Sequence, residues 1–416
     1  MKKLIALALL HSLILMTLNN YAQPMNNPIA KQVHNPITPH GQYDTLRTAS
    51  HIPGLTIAIL HEAPVAHIHK PVAHIDRPVT HIHKPVTVIN KAPVAPPKDY
   101  PILFLHGSVI PVNVSFGFRM NNYSWMDNLA DNGYDVYALD FLGYGNSDRY
   151  PGMSSGSWTG TLTGRATDAY LDVDKAVDFI CRRTGKSKVY LIAHSWGGSV
   201  AALYTGKFNS KVAKLILYAP LTPKANPTNP ALPAIDHNST TGHNPISPTA
   251  SAPTTAPPAT IQSPCATMTP AQRVATFQDL TPPGKECRME KEMFTTFGNT
   301  WLLSDPLHKI FSDDSVRFPS GPEQDTEDLL HGSTYYDPRD IQVPVLLVRG
   351  EWDTTPTNNE AEKLFTALEN APHKKYVVIE KATHILHLEK SRYELYDEVL
   401  HFLHYSTPPP EPLSAR

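Results

Sequence analysis

The run from Val189 to Gly198, VYLIAHSWGG, constrains the fold of this chain more than any other feature. Five β-prone or apolar residues end abruptly near Ser195, and the residues that follow are typical of the opening of a helix. This pattern predicts a strand, a sharp turn and a helix. A serine at the tip of such a turn has strained backbone angles and needs small residues two positions away on either side. Ala193 and Gly197 occupy those positions.

Such a turn has two chemical consequences. It lifts the Ser195 hydroxyl clear of the sheet, and it directs the backbone N–H of Trp196 from a helix N-terminus, where an oxyanion would be stabilised. The same pattern also occurs in ordinary strand-to-helix turns. A function for Ser195 therefore depends on partner residues elsewhere in the chain.

Apolar segments alternate with segments of helical periodicity on both sides of this run. The predicted strands are 55–60, 102–105, 135–139, 189–193, 212–219, 343–348 and 375–379. The predicted helices between and after them are 122–132, 166–180, 359–370 and 391–405. Alternation of this kind predicts an α/β fold, with a mostly parallel sheet and helices on both of its faces.

Two of these strands end next to residues suited to serve a serine nucleophile. Asp353 follows strand 343–348, and His384 lies in the loop after strand 375–379. The chain order of serine, acid and base is the one expected for a nucleophile at a strand-to-helix turn. His384 would take the proton of Ser195, and Asp353 would hold the imidazole tautomer. His387 is expected to pack under the last helix instead.

Together these motifs resemble the α/β hydrolase superfamily, over roughly residues 100–220 and 340–405. The segments that carry the resemblance are His106-Gly107, Asp140 with Gly143, Gly145 and Ser147, the run 193–198, Gly350 with Asp353, and Thr383-His384 with 387–389. The resemblance implies an α/β hydrolase fold with an inserted lid, with Ser195 as nucleophile, Asp353 as acid and His384 as base. It implies an oxyanion hole formed by the backbone N–H groups of Ser108 and Trp196, and the donor after Gly107 is open by one position. The chemistry requires no cofactor and no metal.

The remaining segments are predicted from composition. Lys2 and Lys3 precede an apolar stretch that ends before Asn19, which is typical of a signal peptide cleaved after Ala22. An uncleaved membrane anchor is the alternative, and no stable membrane span is expected after cleavage. The predicted organisation is a signal peptide (1–22), a flexible lead-in (23–54), a strand with a Pro/His repeat arm (55–100), the first part of the core (101–220), a Pro/Thr-rich insertion and helical lid (221–338), the second part of the core (339–405) and a tail (406–416). Within 221–338, residues 221 to about 264 are predicted to be flexible, and helices are predicted near 270–280 and 286–297.

The repeat arm consists of seven-residue units that begin at Pro64, Pro71, Pro78 and Pro85. Units this short cannot build the stacking face of a solenoid, which needs about 20 residues per repeat. A proline at each unit start favours an exposed, extended chain. The His-x-His pairs are compatible with binding of a transition metal, but without carboxylate or cysteine partners we interpret the segment as a solvated repeat.

Charge and composition narrow the choice of substrate. The formal net charge of −2 provides no basic field for nucleic acid, which favours a neutral or small-molecule substrate. The resemblance to α/β hydrolases implies that this substrate is an ester or an aminoacyl compound. We expect an exported, periplasmic or secreted serine hydrolase that cleaves a carboxylic ester through an acyl-enzyme. The Ser-Trp-Gly-Gly form of the turn is also similar to some proline iminopeptidases, which would need carboxylates from the lid; the candidates are Glu290, Glu292, Asp313 and Asp314.

Two further alternatives stay open at this point. One is a non-catalytic surface or binding protein built on a hydrolase scaffold, with the repeat arm as its working part. The other concerns Cys265 and Cys287, which lie close enough in sequence to close a short loop if the protein is exported. Cys181 falls late in a predicted helix and is expected to be buried.

Overall fold

A computed structural model of the chain describes residues 40–65, 99–154, 161–223, 261 and 263–404. The predicted signal peptide, nearly all of the repeat arm, most of the Pro/Thr-rich insertion and the predicted C-terminal tail lie outside the described residues. Across the described residues, the chain forms an eight-stranded sheet, a two-stranded sheet and the helices given below.

Eight strands form one sheet in the order β1-β2-β4-β3-β5-β6-β9-β10. Only the pairs β1/β2 and β2/β4 are antiparallel, and the other five pairs are parallel. The strands are β1 (Asp44–Ala49), β2 (Thr56–Glu62), β3 (Ile102–Leu105), β4 (Val136–Asp140), β5 (Val189–His194), β6 (Val212–Tyr218), β9 (Val345–Gly350) and β10 (Lys374–Ile379), while β7 (Cys265–Met268) and β8 (Val316–Pro319) form a separate antiparallel pair.

Helices connect these strands. They are α1 (Trp125–Asp131), α2 (Pro151–Ser154), α3 (Ala166–Thr184), α4 (Trp196–Lys207), α5 (Pro270–Gln278), α6 (Glu292–Thr295), α7 (Phe297–Ser304), α8 (Leu307–Phe311), α9 (Gly321–Leu330), α10 (Asn358–Ala367) and α11 (Arg392–His404). Short 3-10 helices span Val112–Val114, Asn209–Lys211, Pro338–Asp340 and Leu386–Leu388. None of the helices in the described ranges is both long enough and apolar enough to cross a bilayer.

The central strands are buried on both faces because side chains alternate along a strand. In β3, Leu103 and Leu105 face the core that contains α3 and α4, whereas Ile102 and Phe104 face the core that contains α1 and α11. This burial accounts for the nearly continuous apolar runs in the sequence. Since parallel strands run in one direction, the loops after β3, β5, β9 and β10 all leave the same edge of the sheet.

The structure corrects two predictions about flexible segments. Residues 44–49 lie within the predicted flexible lead-in, yet they form β1, which pairs along its whole length with β2. The insertion was expected to be flexible up to about residue 264, but its described ends are packed: Leu221 and Ile261 are buried, and Ile261 N–H donates to Gln324. Backbone pairing and tertiary contacts order these polar stretches despite their composition.

The insertion also differs from the predicted helical lid. A helix was expected over 286–297, whereas the first helical turns there are α6 and α7, which begin at Glu292 and Phe297. The strands β7 and β8 were not predicted, because four-residue strands 47 residues apart carry no local signal. Cys265 and Cys287 are both unpaired, and Cys181 is only partly buried.

A close approach at Gly350 brings the end of β9 against the loop that precedes His384. A Cβ atom at Gly350 would lie 2.2 Å from the carbonyl oxygen of Ala382 and 2.5 Å from its carbonyl carbon. The neighbour is backbone and therefore has no rotamer with which to move away. Two N–H groups after Gly350 also hold this approach, since Glu351 donates to Ile379 and Trp352 donates to Ala382, both at 2.8 Å.

Replacing Gly350 with alanine should therefore separate these two loops. We expect the G350A variant to lose about 1–3 kcal/mol of unfolding free energy because its methyl group overpacks the contact. Urea denaturation measures this loss. Gly152 is the matched control, because a Cβ there meets no atom within 4 Å, and G152A should have the stability of the wild type or slightly more. Equal losses in the two variants would contradict the close-contact explanation.

Candidate active site

Ser195 lies at the strained turn between β5 and α4. Its backbone angles are φ 56° and ψ −125°, a left-handed conformation that is costly for a residue with a side chain. Its N–H donates to the carbonyl of Tyr218 at 3.0 Å, which ties the turn to β6. Gly197 must lack a side chain, because a Cβ there would lie 2.3 Å from the carbonyl oxygen of His106. The sheet and the 106–107 backbone thus hold the strain in place.

One chain of hydrogen bonds joins Ser195, His384 and Asp353. The Ser195 Oγ lies 2.8 Å from His384 Nε2, and His384 Nδ1 lies 3.2 Å from each carboxylate oxygen of Asp353. Ser195 and Asp353 are 6% and 4% exposed, and the side chain of His384 is 17% exposed. The structure therefore brings together three residues that are 158 and 31 positions apart in the chain.

The loop that carries Asp353 is held by a buried arginine. The Arg349 guanidinium donates to the backbone carbonyl of Asp353 and, at 3.1 Å, to that of Pro356. The N–H of Thr355 donates to Asp353 Oδ1 at 2.8 Å. One carboxylate oxygen thus has a backbone donor besides His384, and this fixes its orientation toward the imidazole.

The loop that carries His384 is held by hydrogen bonds at Thr383 and at the backbone carbonyl of His384. Before it, Glu389 accepts the N–H and the hydroxyl of Thr383 at 3.0 and 2.6 Å. At His384 itself, the backbone carbonyl accepts hydrogen bonds from His194 Nε2 and from the Tyr218 hydroxyl, both at 2.9 Å. His384 is therefore attached through its backbone to β5 and β6.

The two candidate oxyanion donors adjoin Ser195. Trp196 is the first residue of α4, and its N–H is therefore among those that a helix leaves without an intrahelical partner. The backbone before Ser108 runs beside the serine, since a Cβ at Gly107 would lie 3.0 Å from the Cβ of Ser195. Trp301 of α7 donates its indole N–H to the Val109 carbonyl at 3.3 Å, so the insertion contacts this loop.

Comparison with known proteins agrees with this architecture. A family model described as alpha/beta hydrolase fold matches residues 100–242. The chain is similar in structure to a serine hydrolase involved in carbazole degradation, the CarC enzyme, with 14% identity, coverage of 87% of this chain and 98% of the other, and a TM-score of 0.51. A serine hydrolase from the polyaromatic hydrocarbon-degrading bacterium Cycloclasticus zankles is also similar, with 12% identity, coverage of 86% and 97%, and a TM-score of 0.50. A sequence search of curated proteins found no match.

The chain has the α/β hydrolase fold, and residues 100–242 match the model of that family. The predicted fold class is thereby confirmed. At identities this low, the structural similarity concerns the fold, and the roles of individual residues have to be argued from the site itself.

Sequence reasoning missed one buried carboxylate, that of Asp325 on α9. It accepts the indole N–H of Trp196 at 2.8 Å, the N–H of Ala166 at 2.6 Å and the guanidinium of Arg165. Burial raises the pKa of Asp325, which these donors oppose. Asp325 thus links the insertion to Trp196, the residue that follows Ser195. No local sequence pattern predicts this role of Asp325, because its partners are about 130 to 160 positions away.

His387 was expected to pack under the last helix, and the structure buries its ring beside the candidate site. It is 1% exposed, its ring centroid is 4.7 Å from that of His194, and its Nδ1 is 3.1 Å from the Tyr218 hydroxyl. Burial lowers its pKa to about 3, with a further contribution from His384. His387 is therefore neutral at neutral pH.

Most of the insertion carboxylates proposed for an amino-terminus pocket already have partners. Glu290 pairs with the buried Arg392, and Asp313 pairs with Arg317. Glu292 accepts the N–H of Asn121 at 3.1 Å.

One group in the described part of the chain has the spacing of a metal site. His40, Glu62 and Asp127 offer ligand atoms within 4.8 Å of one another. However, both carboxylate oxygens of Asp127 accept hydrogen bonds from Arg119 at 2.8 Å. A cation would compete with this guanidinium, so we interpret the group as an ion-pair network between β2 and α1. The His-x-His pairs of the repeat lie outside the described residues.

His106 holds the strand end beside Ser195 in one protonation state. Its Nδ1 donates to the Gly107 carbonyl at 2.6 Å, while its Nε2 accepts the N–H of Phe141 at 3.2 Å. Because Nε2 must accept, the imidazole has to be neutral. Burial accordingly lowers the pKa of His106 to about 4.

This arrangement predicts a pH-dependent effect of the His106→Gln substitution. The pKa in the folded state lies below that in the unfolded chain, so the contribution of His106 is complete above pH 6.5 and is lost as the pH falls toward 4. We expect the destabilisation by H106Q at pH 7.5 to shrink by about 1–2 kcal/mol at pH 5. Urea denaturation at both pH values measures the difference. The substitution of the exposed His401 by glutamine serves as control. An equal difference in unfolding free energy between wild type and H106Q at the two pH values would contradict the prediction.

Proposed function

We propose that this protein is a serine hydrolase that cleaves a carboxylic ester through an acyl-enzyme. The observation that carries the proposal is the line from Ser195 Oγ through the His384 imidazole to the Asp353 carboxylate, at 2.8 and 3.2 Å. These are the contacts that a nucleophile, a general base and an orienting acid require. The strained backbone of Ser195 supports the same interpretation, because such strain is typical of functional turns.

In the first half of the proposed reaction, Ser195 Oγ attacks the ester carbonyl carbon. His384 Nε2 takes the hydroxyl proton, and Asp353 stabilises the imidazolium that forms. The carbonyl oxygen becomes an oxyanion, for which the N–H groups of Ser108 and Trp196 are the proposed donors. The tetrahedral intermediate then collapses, the C–O bond to the leaving group breaks, and His384 returns the proton to the departing alcohol.

In the second half, water hydrolyses the acyl-enzyme by the same steps. His384 removes a proton from water, the hydroxide equivalent attacks the acyl carbon, and the carbonyl oxygen again takes up negative charge. Collapse releases the carboxylic acid, and the proton held by His384 returns to Ser195 Oγ. Over both halves, ester and water are converted to alcohol and carboxylic acid, and Ser195 and His384 return to their starting protonation states.

An ester fits the insertion better than an aminoacyl substrate does. A free amino terminus is recognised by carboxylates that are not already neutralised, whereas Glu290 and Asp313 are paired with arginines. The apolar N-terminal stretch supports export as part of the proposal. The acyl chain preferred by the enzyme is left to experiment.

The first prediction is that a fluorophosphonate probe labels Ser195. The probe captures an activated serine whatever the natural substrate is, and peptide mapping locates the adduct. We expect labelling to be lost in S195A and in H384A, and ester turnover to fall by about 10⁴-fold or more in both.

Thermal unfolding of each variant provides the control, because S195A should remain folded. A folded wild-type protein that is neither labelled nor active toward esters would contradict the proposal. That result would favour the non-catalytic binding protein.

The second prediction separates ester from aminoacyl substrates. We expect kcat/KM for a short-chain p-nitrophenyl ester to exceed that for prolyl p-nitroanilide by roughly 100-fold or more, because a carboxylate already paired cannot bind the free amine. The variants E292Q and D314N should leave both rates unchanged. Preferential cleavage of the anilide, with loss in either variant, would favour an aminopeptidase.

A further inference from the structure

The backbone carbonyl of His384 is held by two side chains that the proposed reaction does not use. His194 Nε2 and the Tyr218 hydroxyl both lie 2.9 Å from this oxygen. A carbonyl oxygen can only accept, so His194 must carry its proton on Nε2. His194 also directly precedes Ser195, which means that neighbouring residues of β5 supply the serine and hold its partner.

Both donors are fixed within the core. His194 is 3% exposed and Tyr218 is fully buried, and their rings stack with centroids 4.6 Å apart at an interplanar angle of 23°. Burial, with smaller contributions from His387 and His384, holds the pKa of His194 well below its ordinary value. The imidazole is therefore neutral near neutral pH, and its one N–H is the proton directed at the carbonyl.

The proton of the Tyr218 hydroxyl is also directed at the His384 carbonyl. The hydroxyl oxygen accepts the backbone N–H of His387 at 3.2 Å and lies 3.1 Å from His387 Nδ1. The His384 carbonyl can only accept, so the hydroxyl proton is directed at it, and His387 Nδ1 is then the donor in its contact with the hydroxyl oxygen. The carbonyl thus has two donors, one from β5 and one from β6.

We propose that His194 and Tyr218 are positioning residues that hold the general base against the nucleophile. The inference rests on the proposed function and extends it to two residues that need not touch the substrate. Fixing the His384 backbone keeps the imidazole in reach of both Ser195 Oγ and Asp353, and a misplacement of about 1 Å at such a site can lower the rate by roughly 100-fold.

The test compares His194→Leu, which removes the donor, with His194→Gln, which retains an N–H at the end of a side chain of similar reach. We expect H194L to lower kcat by about 10- to 100-fold and to change KM by less than about threefold, because substrate binding does not use the His384 carbonyl. H194Q should recover kcat to within about fivefold of the wild type. The rate of fluorophosphonate labelling should follow kcat in both variants.

Loss of a buried imidazole also destabilises the fold, so a matched control is needed. His61→Leu removes a histidine of β2 that is likewise buried but is bonded to Asp135. We expect H61L to lower the unfolding temperature as H194L does while leaving kcat within about twofold of the wild type. Equal losses of kcat in H61L and H194L, or no rescue in H194Q, would overturn the positioning role.

The shared carbonyl also predicts how His194 and Tyr218 combine. Because the remaining donor still holds the oxygen in part when the other is removed, kcat of H194L/Y218F should fall by more than the product of the two single effects. Independent effects would overturn the shared role. Wild-type protein without labelling or turnover would contradict the proposed function itself, whereas an active wild type with an unimpaired H194L would contradict the positioning role alone.

Discussion

The strained backbone at Ser195 is the constraint on which the rest of the site depends. A left-handed angle at a residue with a side chain persists only where the surroundings over-determine it. Here the N–H of Ser195 is bonded to Tyr218, and Gly197 touches the carbonyl of His106. The parallel pairing of β5 with β3 and β6 supplies these contacts. The sheet therefore places the Ser195 hydroxyl at the edge of the sheet where the parallel strands end.

Asp353 and His384 are held mainly through their backbones. Arg349 binds the carbonyl of Asp353, Glu389 binds the N–H and hydroxyl of Thr383, and His194 with Tyr218 binds the carbonyl of His384. This arrangement leaves the side chains of Ser195, His384 and Asp353 available to contact one another. It also explains why so many polar groups can be buried near the site, since each makes a hydrogen bond that offsets its loss of hydration.

The insertion between β6 and β9 is attached to the core at the candidate site. Asp325 binds the indole of Trp196, and Trp301 binds the carbonyl of Val109. One contact involves Trp196, a proposed oxyanion donor, and the other involves the residue that follows Ser108. A change in the packing of α7 or α9 would therefore be transmitted to the backbone around Ser195.

The sequence by itself determined the alternation of strands and helices, the turn at Ser195 and the order of Ser195, Asp353 and His384. These features have local signals: apolar runs for buried strands, small residues beside a strained serine, and polar residues directly after strands. Only the tertiary structure decided that residues 44–49 form an edge strand, that β7 pairs with β8, and that Asp325 and His194 hold neighbours of the reacting groups. Those contacts join residues far apart in the chain, and their strength comes from burial and geometry that no short stretch of sequence contains.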